Sequence, residues 1–209
     1  MHFILPYFII LIIILQFAIK RGTQNHKSRN QQFLERESRA NQVRRKDISN
    51  LNYISIPDNL PLINSGNETF NQLLSNNSGM MRSYNTIIGL KDKKILNLTG
   101  ISNTELKLSY GAANLTELTE YDDNFTTLIK AIASLGHALI DNNDSADALS
   151  FLEYGISIGS DISSNYIDLA IIYAATDRFD DIRKLKEKAG MLKSLSRDNI
   201  IEQLNNMLK

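Results

Sequence analysis

The chain is predicted to be all-α: an N-terminal transmembrane helix followed by a body of short amphipathic helices in antiparallel pairs. Three observations predict this. Phe3 to Ile19 reads FILPYFIILIIILQFAI, seventeen residues without a charge. From Asn124 onward, apolar residues recur at helical spacing between short polar turns. After residue 62 no run alternates with the period of two that a half-buried strand requires.

The apolar stretch comes first. A bilayer core needs about 17–25 apolar residues in a helix, and Phe3–Ile19 reaches that minimum. Pro6 falls in the first turn, where a missing N–H does least harm. A cleaved signal peptide would need a basic start and small residues at the cleavage site. Met1-His2 and Phe17-Ala18-Ile19-Lys20-Arg21 supply neither, and a lipid-modified anchor would need a cysteine that the chain lacks. Residues 1–21 are therefore read as an anchor in the cell membrane.

Charge sets its orientation. Residues 20–46 carry nine Lys/Arg against Glu35 and Glu37, a balance of +7. Basic flanks stay on the cytoplasmic side, so the C-terminal domain is expected there, single-pass, with the N-terminus outside. The same residues stand where each Lys or Arg can contribute about 1 kcal/mol of attraction to anionic headgroups. Residues 47–209 hold fourteen basic and twenty-one acidic residues, −7 in all, so a formal net charge of zero conceals a split. An acidic body argues against nucleic acid as the ligand. The richness in Ile, Asn and Lys resembles proteins of AT-rich bacteria.

Residues 22–50 read as a basic juxtamembrane linker. GTQNHKSRNQQ (22–32) is polar and flexible in expectation, and Phe33–Lys46 is a possible basic helix. Leu51–Leu62 contains Pro57 and Pro61, which forbid a long helix, and reads as an extended segment lying on the body. Short helices are expected at Asn67–Leu74 and Met80–Ile88. A turn at Thr99-Gly100 leads to another, capped by Ser102 or Asn103 with Glu105 in its first turn and closed at Tyr110-Gly111. One or two further turns around Leu115 and Leu118 should end near Asp122-Asp123. Residues 51–123 are expected to cap the helices that begin at Asn124.

From Asn124 the chain shows four apolar stripes and a final helix opening at Ser196, and they repeat. Leu135 and Leu169 are thirty-four residues apart, as are Gly136 and Ala170, Leu139 and Tyr173, Ala148 and Ile182, Gly155 and Ala189, and Tyr166 and Ile200. Gly136 and Ala170 are small residues midway along the first helix of a pair, where the second helix could approach closely. Gly155 and Ala189 stand late in the second. Thirty-four is the tetratricopeptide-repeat length. Residues 124–209 thus resemble a tetratricopeptide-repeat array: a solenoid of two antiparallel helix pairs and a C-terminal capping helix. The pattern departs from the family at Ile182, where alanine is usual, at Ser160 and Ser194, where proline is frequent, and at Leu204, where a small residue belongs.

The resemblance implies a protein or peptide ligand in a groove lined by the first helix of each pair. In this sequence those positions are Lys130, Ala133, His137, Ser164, Ile167, Asp168 and Ile171. The expected function is a membrane-anchored adaptor or scaffold; the alternative is a structural subunit of a membrane complex that assembles with itself.

Chemistry is sparse, and no catalytic residue, metal or cofactor is expected. His2, His26 and His137 have no metal-ligand spacing. Asp141–Asp147 (DNNDSAD) alternates oxygen ligands, but Ala146 stands where a calcium loop needs glycine and Glu153 falls one residue late. It reads better as an inter-helix turn with Asp144 or Ser145 as N-cap. Asp122 and the Asp180-Asp181 pair are expected near helix N-termini, complementing the dipole.

Overall fold

The computed structural model describes residues 4–58, 60–61 and 67–208, with the side chains of 4–11, 13, 18 and 21–27 outside that description. Among the described residues the chain is all-helical, with no strand. It divides into two compact units, residues 1–47 with 102–115, and 48–101 with 116–209.

The first unit contains α1 (Ile4–Asn41) and α4 (Asn103–Tyr110). No helix among the described residues is long and apolar enough to cross a membrane; the anchor expected at Phe3–Ile19 lies largely outside the described side chains. The backbone corrects one expectation: residues 22–32 are not a loose linker but part of one continuous helix. After Pro6 no proline interrupts it. Its polar stretch includes three Gln, one Lys and one Arg, which favour helix, and Gln31 donates to Glu35 one turn on, at 3.1 Å.

The end of α1 is clasped by α4. Glu37 accepts from Thr104 Oγ1 at 2.7 Å and pairs with Lys107, whose ammonium also donates to Asn41 at 2.9 Å. These bonds hold the Glu37 carboxyl below its usual range, Lys107 contributing most. Ser102 and Glu105 cap α4 reciprocally, as the sequence predicts. Asn114, fully buried, ties the turn after α4 to the chain after α1. It accepts from Arg45 Nε at 2.8 Å and donates to the carbonyls of Lys46 and Tyr110, at 2.7 and 2.8 Å.

The second unit holds α2 (Glu68–Asn76), α3 (Ser78–Gly89), α5 (Leu115–Asp141, its first residue falling to the other unit), α6 (Ser145–Ser157), α7 (Ser163–Ala175), α8 (Phe179–Gly190) and α9 (Arg197–Met207). A second correction concerns α5. Asp122-Asp123 does not open a helix; it lies within one of 27 residues. The Asp122 carboxylate instead accepts from the backbone N–H of Leu98 at 2.9 Å, tying the 95–101 segment to the helix side. Asp180 and Asp181 do lie in the first turn of α8, and Asp144 caps α6, accepting from Asp147 N at 3.3 Å.

The thirty-four-residue spacing reappears in the backbone. Where α5 ends, Asn143 takes a left-handed φ of 61°, and Asp144 N donates to Leu139 O at 2.9 Å. Where α7 ends, Asp177 takes a φ of 56°, and Arg178 N donates to Tyr173 O at 2.8 Å. The two helices end in the same way at equivalent positions, with Asn and Asp supplying a conformation that most side chains resist.

Small residues let the helices close on one another. A Cβ on Gly136 would lie 2.6 Å from Leu152 Cδ2, so glycine lets α6 approach α5. A Cβ on Gly155 would lie 2.3 Å from Asn165 Nδ2 and 3.0 Å from Ile132 Cγ2, where α7 arrives. Ala170 and Ala189 are fully buried, and Leu139 and Tyr173 are buried as well. Ser160 stands in a turn of its own making: its hydroxyl accepts from Ile162 N at 3.3 Å.

The α2–α3 hairpin covers the first pair. On one side Phe70 stacks on Phe151 of α6 with ring centroids 6.3 Å apart, and Asn67 donates to Asp147 at 2.7 Å. On the other, Ser83 of α3 donates to Ser134 of α5 at 3.2 Å. The extended segment before it lies on the same body. Ile54 N donates to Ile95 O at 2.9 Å, Tyr154 Oη donates to Ser55 O at 3.1 Å, and Ile56 and Leu60 are buried. Asn59 and Leu62 of this segment fall outside the described residues.

Candidate functional site

The expected groove residues lie on α5 and α7. On α5, residues 130, 133 and 137 share a face because three or four residues make one turn. On α7, residues 164, 167, 168 and 171 do the same. Helix α5 can present that face because its opposite side is sealed: Phe125, Leu128, Ile132 and Leu135 are buried.

The structure brings two of the seven together. His137 Nδ1 lies 3.0 Å from Asp168 Oδ2, joining α5 to α7, and its Nε2 lies 3.7 Å from Asp141 Oδ2. The Asp168 side chain is only 8% exposed, while that of His137 is 59% exposed. The imidazole therefore covers a sunken carboxylate. Burial pushes the Asp168 carboxyl above its usual range, His137 pulls it back, and the charge of Asp141 pushes it up again. Ile171 is exposed and Ile167 half-buried. Lys130 and Ser164 are exposed, and Lys130 forms no ion pair among the described residues. Ala133 is buried and offers no side chain to a ligand.

Sequence reasoning stopped one helix short. Helix α9 packs beside α7. Its Asp198, Ile201, Glu202 and Asn205 stand thirty-four residues after Ser164, Ile167, Asp168 and Ile171. With Asn206 they line an open depression of about 610 Å³. The spacing that located Ile200 would have located these four had it been carried to the face rather than to the core. Ser134, which precedes Asp168 by the same interval, was missed too.

A second cleft of about 790 Å³ lies elsewhere in this unit, between the 52–55 and 96–101 segments and the ends of α6 and α8. Asp161 is its one carboxylate, with Lys188 and Lys193 as cations, and it is lined by no histidine. Asn97 is turned onto the carbonyls of Ile158 and Gly159, both at 3.4 Å. Among the described residues no three His, Cys, Asp or Glu side chains stand together as a metal site.

No family model, no curated protein and no solved structure matches the chain. A functional reading therefore rests on the α5–α7–α9 face alone.

Proposed function

We propose that this protein is a membrane-anchored adaptor whose tetratricopeptide-like repeats bind a protein or peptide on the face shared by α5, α7 and α9. The observation that carries the reading is the repetition itself. One helix ending recurs after thirty-four residues, and the face beside it presents exposed Lys130 on α5, exposed Ile171 on α7 and exposed Asp198 and Glu202 on α9. Stacked helix pairs of this kind form an extended concave surface that such proteins use for binding, and the first helix of each pair would line it here.

Phe3–Ile19 would hold the protein in the cell membrane, with the basic residues 20–46 near anionic headgroups and the repeats in the cytoplasm. The chain has no cysteine, so a single Leu195→Cys, at a fully exposed position, reports topology cleanly. A membrane-impermeant thiol reagent should label it only after the membrane is permeabilised. Labelling of intact cells would reverse the orientation.

The test of the groove is a Lys130→Glu/His137→Glu variant of the full chain. Partner capture should fall at least tenfold, with the thermal midpoint falling by no more than the loss of the His137–Asp168 pair allows. Undiminished capture by the folded variant would remove the groove from the account.

One observation favours the alternative of a self-assembling structural subunit. Phe33 and Leu34 of α1 are both exposed, a pair of large apolar side chains available to another helix. Sedimentation of residues 28–209 discriminates, because that fragment keeps the α1–α4 clasp that a cut at residue 47 would destroy. A monomer that captures a partner supports the adaptor. An oligomer that captures nothing supports the structural subunit.

A further inference from the structure

We infer that the turn between α8 and α9, residues 191–196, docks on an anionic lipid surface and gives the repeats a membrane contact of their own. This rests on the anchored reading above only for the bilayer that it places within reach. Among the described residues of the second unit, the exposed large apolar side chains are Ile101, Ile171, Phe179, Met191 and Leu195. Three of them belong to one corner. Met191 is 74% exposed, Leu195 entirely so, and Ile101, 42% exposed, lines the same cleft as Met191 and Lys193. The 100–101 turn and the α8–α9 turn adjoin: a Cβ on Gly100 would lie 3.4 Å from Lys193 Cβ. An exposed apolar patch with a polar rim marks a contact with protein or membrane.

Charge favours the membrane. Residues 183–197 hold six of the body's fourteen basic residues against Glu187 alone, a balance of +5 within a body of −7. Arg183, Lys184 and Arg197 are bonded to Asp180, Asp181 and Asp198. Lys186, Lys188 and Lys193 form no ion pair among the described residues. Asp161 is the one carboxylate in the cleft that Lys188 and Lys193 line. Ammonium groups left unpaired beside outward apolar side chains suit an anionic headgroup layer. The phosphates attract the cations, the acyl boundary takes the apolar tips, and the two effects add. The cytoplasmic leaflet is the one that carries such charge. Leu195 projects from the tip of a turn, a shape that sinks into lipid rather than closing around a partner's side chain.

The repeat supplies its own comparison. One period earlier, the turn between α6 and α7 has Ser157, Gly159 and Asp161 where this turn has Met191, Lys193 and Leu195, and Tyr154 where it has Lys188. The repeat therefore does not require apolar or basic side chains at these positions. The turn is also held in place. Met191 N and Leu192 N donate to the carbonyls of Lys188 and Ala189, both at 3.1 Å, and Arg197 N donates to Ser194 O at 3.4 Å. Leu192 packs on the core, while Met191 and Leu195 on either side of it face outward. Apolar tips fixed before docking lose less freedom when they bind.

The test uses single cysteines in a chain that has none: Met191→Cys, Leu195→Cys and, as control, Ala175→Cys, exposed at the end of α7 where α8 begins. Each full chain carries an environment-sensitive fluorophore and is placed in nanodiscs of phosphatidylcholine, with or without phosphatidylglycerol, made with plain or brominated acyl chains. The Met191 and Leu195 probes should shift to the blue in anionic discs and be quenched by the brominated chains, and the Ala175 probe should do neither. Lys188→Glu/Lys193→Glu, both at exposed positions, should cut that quenching about tenfold and leave the circular-dichroism spectrum unchanged. Probes that stay unquenched in anionic discs holding the chain would overturn the proposal and leave the anchor standing. A chain that does not enter the discs overturns the anchor instead. Flotation with phosphatidylglycerol vesicles then decides: flotation lost in the double variant supports the turn, while undiminished flotation of the variant, or none by the parent, overturns it. An unquenched blue shift that grows with protein concentration gives the turn to a second copy, and the proposal falls.

Discussion

Gly136 shows how one missing methyl group sets the distance between two helices. An alanine there would gain about 1 kcal/mol of helix propensity. It would also drive a Cβ to within 2.6 Å of Leu152 Cδ2, in a core where Leu152 is fully buried. Overpacking costs about 1–3 kcal/mol and should win. Gly136→Ala should lower the denaturant midpoint, and a second change, Leu152→Ala, should cost less in that background than in the unaltered chain. Asp147 supplies a second prediction. Burial, helped by the charge of Asp144, pushes its carboxyl up to about 6. A raised folded pKa means the folded state gains from the proton: the gain is complete below the ordinary carboxylate range and lost as pH rises through 6. Asp147→Asn keeps an acceptor for Asn67 and removes the charge. Its thermal midpoint should exceed the parent's by about 2–4 °C at pH 7.5 and match it at pH 3.5. Equal midpoints at both values would contradict the burial argument. The roles of Gly136 and Gly155 were legible in sequence because small residues recurred at a fixed interval. The burial of Asp147 was not, because the partner that covers it, Asn67, lies eighty residues away.

At the scale of elements, the turns explain which helix ends repeat and which do not. Asn143 and Asp177 sit in left-handed conformations that cost most residues about 1–2 kcal/mol. Asp177→Gly should raise unfolding free energy by a few tenths to about 1 kcal/mol, and Asp177→Val should lower it by more. Gly159, at φ 88°, ends α6 with Ser160 N bonded to Gly155 O at 3.0 Å. Its counterpart thirty-four residues on is Lys193, and there the chain turns differently. Gly111 carries a similar burden in the clasp on α1. Its φ is 92°, and a Cβ would lie 2.3 Å from Arg44 O. Gly111→Ala should loosen α4, and its amides should exchange with deuterium at least tenfold faster. Helix caps such as Ser102 and Asp144 were legible because their hydrogen bonds are local. The continuity of α1 and α5 was not. Polar residues 22–32 and Asp122-Asp123 look like breaks in sequence. Whether they break a helix depends on what their side chains meet, and Asp122 meets a backbone N–H from twenty-four residues before it.

For the whole molecule, the division of charge gives the account its shape: a +7 segment beside the apolar N-terminus and a −7 body that holds the repeat. The period led to the core of the repeat, and the resemblance to a tetratricopeptide array pointed to the α5 and α7 sides of its face. The third side, on α9, was concealed because Leu204 replaces the small residue that marks an earlier repeat. Among the described residues no helix comes after α9 to pack against that position, and Leu204 fills the space itself, fully buried. The central claim is that a partner docks on the α5–α7–α9 face. A photo-crosslinking amino acid placed at Ile171 of the full, membrane-bound chain tests it most directly, with Lys184, on α8 and 70% exposed, as the control position. The account predicts a discrete protein adduct from Ile171, lost in the Asp198→Lys/Glu202→Lys background, and none from Lys184. Equal adducts from both positions, or an adduct from Lys184 alone, would contradict it.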